Sequence, residues 1–238
     1  MRAEDNGFIF DMLEARAARG GLAERARVAI RQAILDLDLA PGALIDKNEL
    51  CEQLGVSRFP VSDALARLQE EGLVEIRPQS GTRVSRIRMA DVRQAAFIRR
   101  ALEVETVRIL AASASEALLG RIKLNLTYQA SALSQRDKKG FYQLDLQFHA
   151  LLLAELNFPR VQQIVETSRH SLERARRLLS SHRRHESTYR EHKAVAAALE
   201  HRRPDVAADA MSRHIDAVLS ELGALMKERP DIFDDLRG

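Results

Sequence analysis

Apolar residues recur at helical spacing along most of this chain, and strand-like alternation is confined to about residues 73–86. A first helix is expected at about 22–37, followed by a turn at 39–42. Beyond residue 90 the helical period continues without a strand. The helices predicted there lie at about 91–113, 115–134, 138–156, 159–181, 186–201 and 204–228. The pattern therefore predicts a mostly α-helical fold.

Two short helices are expected on either side of Gly55. Asp46 can cap the first of them, with Glu49 three residues later completing a capping box. Glycine at position 55 allows the tight bend that two steeply crossing helices need. Ser57 is a suitable N-cap for the second helix, and Pro60 falls in its first turn, where a missing N–H costs little. This arrangement is typical of a helix-turn-helix.

The second of these helices has one apolar face and one polar end. Its inward stripe consists of Val61, Ala64, Leu65 and Leu68. Gly72 ends the helix, and the exposed N-terminal end carries Arg58, Phe59, Ser62 and Asp63. A recognition helix presents this end to base edges in the major groove. The pattern thus predicts a DNA-reading helix.

A hairpin follows this helix directly. Strands are expected at 73–77 and 82–86, joined by a turn at 78–81. A hairpin in this place is typical of a wing, whose arginines can contact phosphates or the minor groove. These arginines are Arg77, Arg83, Arg86 and Arg88. The alternative is an ordinary small α+β subdomain whose arginines are only solvated.

The pattern divides the chain into three parts. Residues 1–20 are interpreted as an N-terminal extension that ends at a pair of glycines. Residues 21–88 form the predicted winged helix-turn-helix domain, and residues 91–238 form a second, all-α helical bundle. We expect this second domain to bind an effector and to mediate dimerisation.

Composition narrows the class of protein. The 238 residues are 45% hydrophobic, 5% aromatic and 30% charged, which favours a soluble helical protein, and no apolar run is long enough to span a membrane. One cysteine, Cys51, excludes an internal disulfide framework and fits a reducing cytoplasm. The formal net charge of +3 is too small to identify a nucleic-acid binder, so affinity for DNA should depend on dimerisation and specific contacts.

Four residues of the second domain have the types and positions of metal ligands. Asp145 and His149 stand four residues apart on one helix, so they share a face. His192 and His214 lie on the apolar faces of two later helices. Imidazole and carboxylate ligands suit zinc, nickel, manganese or iron, and four of them can leave positions open for a substrate oxygen.

The alternative for each of these histidines is a core residue with a backbone partner. The remaining histidines lie in arginine-rich or helix-terminal stretches and are expected at the surface: His170, His182, His185 and His201.

The chain resembles the GntR family of bacterial transcription regulators, in its FadR-like branch with an FCD effector domain. The first part of the match is PGALIDKNELCEQLGVSRFPVSDALARLQEEGLVEIRPQSGTRV, residues 41–84. The second consists of IRRALEVE at Ile98, DLQFH at Asp145, EHKAV at Glu191 and MSRHID at Met211. The resemblance implies a cytoplasmic, nucleoid-associated homodimer that binds a double-stranded DNA operator and a small carboxylic acid.

The resemblance also implies a divalent metal ion held by one aspartate and three histidines. These ligands fall on Asp145, His149, His192 and His214, with zinc, nickel or manganese as the ion. The family's R-x-x-L-E pattern falls on Arg99 and Glu103, and Arg99 could clamp the carboxylate of the effector. The alternative for Arg99 is a surface salt bridge.

The chain departs from the family pattern where DNA is read. Phe59 replaces a threonine, Ser62 replaces an arginine, and Asn48 replaces another arginine, with Lys47 beside it. We therefore expect Arg58 to carry more of the base readout. The residues predicted to contact DNA are Lys47, Asn48, Ser57, Arg58, Phe59, Ser62, Arg77, Ser80, Gly81 and Arg83.

Three functions fit these patterns. The first is a transcription factor, a repressor, controlled by an organic acid bound at the metal site. The second is a direct metal sensor, and the third a metalloenzyme. The sequence offers neither an evident general base nor a nucleophile motif for the third function, so we expect no enzyme.

Overall fold

A computed structural model describes residues 21–234, with only the backbone described at 170 and 171, so the predicted extension 1–20 lies outside the described residues. The described chain forms two units, one containing residues 21–88 and 229–234 and the other Met89–Glu228. The helices are α1 Leu22–Asp36, α2 Lys47–Leu54, α3 Arg58–Glu70, α4 Met89–Ser113, α5 Glu116–Ser134, α6 Lys138–Glu155, α7 Pro159–Leu178, α8 His182–Glu200 and α9 Pro204–Glu228. The strands are β1 Leu44–Ile45, β2 Val74–Arg77 and β3 Gly81–Val84, and a short 3-10 helix spans Pro230–Ile232. The predicted mostly α fold, with a winged helix-turn-helix followed by an all-α domain, is confirmed.

The helix-turn-helix forms where its caps predict it. The Asp46 side chain accepts hydrogen bonds from the backbone N–H groups of Asn48 and Glu49, at 2.7 and 3.3 Å. Glu49 accepts from Gln53 at 3.0 Å, an interaction outside the expected capping box. Gly55 has φ +63°, a backbone conformation that favours glycine, and this ends α2. Ser57 occupies the N-cap position of α3, but its side chain makes no capping hydrogen bond.

The first unit is built on a small antiparallel sheet in the order β1–β3–β2. Its wing pairs Val74 with Val84 and Arg77 with Gly81, which leaves residues 78–80 as the loop. The two-residue strand β1 was not expected, because so short a segment carries no alternation of its own. The core beneath the sheet comprises Ala26, Ile30, Ile34, Ile45, Leu50, Val61, Ala64, Leu65, Leu68, Val74 and Val84.

The segment 229–234 packs with this first unit. The backbone N–H of Ile87 donates to the carbonyl of Ile232 at 3.0 Å, and the N–H of Asp234 donates to the carbonyl of Ile87 at 3.1 Å. Arg86 Nε donates to the carbonyl of Asp231, and the Ile232 side chain is buried. Sequence periodicity assigned the whole of 91–238 to the second domain. The difference arises because these contacts are long-range and leave no periodic pattern.

The second unit is a six-helix assembly in which α4 packs against α9, α7, α6 and α8. The α5, α6 and α8 helices begin at N-caps whose side chains accept backbone hydrogen bonds: Ser115, Asp137 and Ser181. The α7 and α9 helices begin at prolines, which tolerate the first helical position. Within residues 21–234, no helix is both long enough and apolar enough to cross a membrane.

Candidate metal centre and nucleic-acid interface

Four buried side chains meet inside the second unit. Asp145 and His149 come from α6, His192 from α8 and His214 from α9, so all four predicted metal ligands are brought together. One ligand atom from each lies within 4.8 Å of the others. His149 Nε2 lies 3.1 Å from His214 Nε2, and Asp145 Oδ1 lies 3.6 Å from His192 Nε2. We call these four residues the His/Asp cluster.

Each imidazole of the His/Asp cluster is oriented by an acceptor on its far side. His149 Nδ1 hydrogen-bonds the Glu103 carboxylate, and His214 Nδ1 lies 2.7 Å from Glu191 Oε2. His192 Nδ1 lies 3.0 Å from Gln129 Oε1, while Gln129 Nε2 donates to Asn125. Because these partners accept hydrogen bonds, each Nδ1 carries the proton and each Nε2 presents a lone pair to the centre.

The lone pairs that face one another make the His/Asp cluster suitable for a cation. Among the described residues, Asp145 Oδ1 and His192 Nε2 are buried without a hydrogen-bond partner. Buried polar atoms without a partner are costly, and His149 Nε2 and His214 Nε2 lie 3.1 Å apart, facing the same centre. Nitrogens around a tetrahedral zinc ion, each about 2.0–2.1 Å from it, lie about 3.3 Å apart. The donor set and its spacing therefore fit a divalent metal ion.

The electrostatics of the His/Asp cluster keep its groups in the forms that metals bind. Burial lowers the pKa of His149 to about 3 and holds the pKa of His192 well below its ordinary value. Burial by itself would raise the pKa of Asp145, but the guanidinium of Arg176 beside it outweighs burial, so this pKa lies well below its usual range. At neutral pH His149 and His192 are therefore neutral and Asp145 is ionised.

Arg176 is the arginine next to the His/Asp cluster. Its Nη2 donates to Asp145 Oδ2, and both side chains are nearly inaccessible to solvent. Arg176 also lines a cavity of about 30 Å³ beside Asp145, together with Phe141, Tyr142, Leu179, Ser180, Arg184, His185, Thr188 and Val218. A larger cavity of about 700 Å³ lies between α6 and α7 but is lined by none of the four cluster residues. Of these two cavities, the smaller one therefore adjoins the His/Asp cluster, through Asp145.

Arg99 lies in the core. Its Nε donates to Glu103 Oε1 at 2.6 Å, and its side chain is only 2% exposed. Arg99 Nη2 is buried without a partner among the described residues. This contradicts the alternative of a surface salt bridge. The contact places Arg99 behind His149, because Glu103 lies between them.

Several residues around the His/Asp cluster were not assigned from sequence. Glu191 precedes a predicted ligand directly in sequence, a position that could have indicated its role. Arg176 carried no such signal, since its arginine-rich helix resembles a solvated one, and Gln129 carried none because it is an ordinary polar residue of α5. His185 was expected at the surface but is buried and stacked on Phe141, with ring centroids 4.5 Å apart. His185 follows two arginines in sequence, which made this segment resemble a solvent-exposed one.

The residues predicted to read DNA lie on the surface of the first unit. Lys47 is half-buried, and Asn48, Ser57, Arg58, Phe59 and Ser62 are exposed. Arg58 Nε donates to Asn48 Oδ1 at 3.2 Å, so the start of α2 and the start of α3 are joined by this contact. Asp63 forms an ion pair with Arg67 at 3.1 Å, which offsets its negative charge near the predicted DNA-facing end.

The wing presents a second group of these residues. Arg77, Ser80, Gly81 and Arg83 are exposed. Arg77 pairs with Glu75 at 2.6 Å, and Arg83 Nη1 donates to the Gly42 carbonyl at 3.2 Å. Arg86 instead hydrogen-bonds the carbonyl of Asp231 in the C-terminal segment. Any contact of Arg77 with a phosphate would therefore compete with Glu75.

Two family models match the two units. The model described as bacterial regulatory proteins, gntR family, matches residues 22–84, and the FCD domain model matches residues 94–217.

Curated relatives match across most of the chain. A regulator from Streptomyces ambofaciens, described as an uncharacterized HTH-type transcriptional regulator in an unstable DNA locus, is 33% identical over 205 residues and covers 86% of each chain. The HTH-type transcriptional repressor RspR of Escherichia coli K12 is 30% identical over 207 residues, 87% of this chain and 91% of RspR. A solved GntR regulator from Rhodococcus sp. RHA1 shares the fold, with a TM-score of 0.67 at 22% identity over 85% of this chain and 97% of that one.

Proposed function

Because the chain belongs to the GntR family of bacterial regulators and carries an FCD domain, we propose that it is a repressor controlled by a small carboxylic acid. The acid binds at a divalent metal ion held in the second unit. DNA binding and transcription regulation follow from the family, and one relative, RspR, is a repressor. The proposed setting is the bacterial cytoplasm, at the nucleoid.

The geometry of the imidazoles carries this proposal. Three Nδ1 atoms are committed to Glu103, Gln129 and Glu191, which turns three Nε2 lone pairs towards Asp145 Oδ1. Such an arrangement can stabilise a cation, because three imidazole nitrogens and one carboxylate oxygen converge on one point.

The proposed ligands are therefore Asp145, His149, His192 and His214. Zinc, nickel and manganese all accept this nitrogen and oxygen set, and availability decides among them. The ion supplies a Lewis-acidic centre to which a carboxylate oxygen can bind. Glu103, Gln129 and Glu191 hold the imidazoles in the required tautomer and orientation.

The proposed effector is anionic because two arginines line the cavity beside the His/Asp cluster. Arg176 and Arg184 line the adjacent cavity, and Arg99 has an unpaired buried Nη2. Arginine binds carboxylates through charge-assisted, often bidentate hydrogen bonds. The cavity of about 30 Å³ is smaller than ordinary ligand pockets, so binding must move its lining side chains. Such movement can shift the population between dimers that bind DNA and dimers that do not.

This function is tested by DNA binding of metal-loaded protein purified without tag or chelator. We expect about one zinc equivalent per chain by elemental analysis. We also expect that one acid from a panel of small mono- and dicarboxylic acids weakens binding to a selected duplex by about fivefold or more. The response should vanish after chelation and return when zinc is restored.

The other outcomes separate the alternatives. Protein that contains no metal and takes none up would identify the four residues as core packing. Loss of DNA binding on chelation, with no acid active, would identify a direct metal sensor. Chemical conversion of an acid would identify an enzyme.

We propose that the regulator is a homodimer that binds a pseudo-palindromic operator. Acidic and basic side chains are nearly equal in number in the winged helix-turn-helix, so one copy should bind DNA weakly. Light scattering at micromolar concentration should give twice the 26.8 kDa of one chain. A monomer that binds a single half-site would contradict this proposal.

The proposed DNA contacts follow from position and exposure. At the ends of α2 and α3 these are Lys47, Asn48, Ser57, Arg58, Phe59 and Ser62. In the wing they are Arg77, Ser80, Gly81 and Arg83. We assign base reading to the first group and backbone contacts to the second.

A further inference from the structure

Phe59 has the most solvent-exposed large apolar side chain in the described part of the chain. It is 80% exposed, more than Phe97 at 73% and Leu44 at 58%. The next two residues, Pro60 and Val61, are buried. Phe59 therefore contributes little to the core of the first unit, although it stands in the first turn of α3.

The position of Phe59 is the one from which a recognition helix reads bases. The N-terminal turn of such a helix lies closest to the base edges of the major groove. Arg58 and Ser62 are exposed beside Phe59, so polar groups flank the ring. A single exposed apolar side chain is ordinary, but a phenyl ring on a surface that must meet a polar groove needs an apolar partner there.

The major groove offers one such partner. Each base pair presents hydrogen-bonding atoms there, and only thymine also presents a methyl group, at C5. A phenyl ring cannot satisfy a hydrogen-bond donor or acceptor, and it would desolvate these groups at other bases. We propose that Phe59 contacts the 5-methyl group of a thymine and so sets the base preference at one operator position.

Arg58 should read a guanine in the same half-site as that thymine. Its Nε is used by Asn48 Oδ1, which leaves both Nη atoms free of that contact and able to face O6 and N7 of a guanine. Arg58 and Phe59 both lie in the first turn of α3, so both should reach bases of the same half-site. Each half-site should therefore contain this thymine as well as the guanine that Arg58 reads.

The proposal depends on DNA binding, which the family provides, and on neither the metal ion nor the effector. Phe59 and the His/Asp cluster also belong to different units. A failure of the proposed effector response would leave this inference intact, and the reverse also holds.

The test begins with selection of a high-affinity duplex from a random-sequence library by the full-length protein. Each thymine of the half-site is then replaced singly by deoxyuridine, which removes the methyl group and keeps the base pairing. Burying one methyl group corresponds to a change in affinity of about fourfold. We expect one position at which this replacement weakens binding by about three- to fivefold for the wild type.

Phe59→Ala completes a double-substitution cycle. This variant should bind the thymine duplex about three- to fivefold more weakly or worse, and it should no longer distinguish thymine from deoxyuridine at that position. Phe59→Leu, which keeps an apolar group, should retain part of the distinction. Because Phe59 is exposed, its variants should keep the circular dichroism spectrum and thermal midpoint of the wild type.

Two matched control variants test whether the response of DNA affinity to the thymine methyl group depends on Phe59. Arg58→Ala should lose preference for guanine but keep the response to the methyl group. Arg83→Ala in the wing should weaken binding to all sequences and keep the response as well. The proposal is overturned if Phe59→Ala responds to deoxyuridine as the wild type does. It is also overturned if no half-site position responds, or if selection enriches no sequence.

Discussion

Replacing Arg176 with methionine should lower the free energy of unfolding of the metal-free protein by about 3–5 kcal/mol. The guanidinium of Arg176 hydrogen-bonds Asp145, whose side chain is buried, and the Arg176 side chain is only 12% exposed. Removing it leaves a buried carboxylate beside two neutral imidazoles, because burial depresses the pKa of His149 and of His192. Chemical denaturation at neutral pH, followed by circular dichroism, measures the change. Zinc should restore more stability to this variant than it adds to the wild type, since the ion replaces the missing positive charge.

Two control variants test whether the loss of stability comes from the Arg176–Asp145 ion pair. Arg121→Met removes an exposed arginine that pairs with Glu155, so it should cost only about 0.2–1 kcal/mol. The double variant Asp145→Asn/Arg176→Met should be more stable than Arg176→Met alone, because it leaves no unpaired carboxylate at position 145. If Arg121→Met and Arg176→Met were equally stable, the buried ion pair would not contribute as described.

His214→Ala should weaken zinc binding by on the order of 3 kcal/mol, about a hundredfold. Zinc binding free energies of roughly 10–16 kcal/mol in four-ligand sites imply a share of this size for each ligand. Loss of this imidazole also leaves Glu191 without the hydrogen bond from Nδ1. Competition of the full-length protein with a zinc-sensitive dye measures the affinity.

The matched control is His201→Ala, which removes an exposed histidine of the same unit. Its zinc affinity should equal that of the wild type, and so should its response to the effector acid. His214→Ala should also lose that response, because the proposed acid binds through the ion. Equal zinc affinity of His214→Ala and the wild type would remove His214 from the site.

The features that sequence predicted are those determined by local chemistry. Helix α2 begins after Asp46 and ends at Gly55, because a side-chain cap and a left-handed backbone act over only a few residues. The spacing of Asp145 and His149 places both on one helix face for the same reason. His192 and His214 were grouped with them from their apolar helix faces, and the family resemblance supported that grouping, since nothing local specifies which helices become neighbours.

The features that sequence did not predict depend on distant contacts. Arg176 resembles a solvated residue until its helix packs beside α6, where it meets Asp145. Gln129 is an ordinary helical glutamine until α8 brings His192 within 3.0 Å of it. Strand β1 exists only because β3 pairs with it. In each case the determining partner lies tens of residues away.

The C-terminal segment makes the first unit discontinuous in sequence. Ile232 and Phe233 are buried there, and Ile87 exchanges two backbone hydrogen bonds with Ile232 and Asp234. The helical unit Met89–Glu228 is thus an insertion within the DNA-binding unit. During synthesis the chain emerges from its N-terminus, and domains generally fold in that order. The first unit to emerge is consequently the last to be completed, because its final residues follow the whole of the inserted unit. A ribosome that stalls within α9 would therefore leave Ile87 without the partners that cover it.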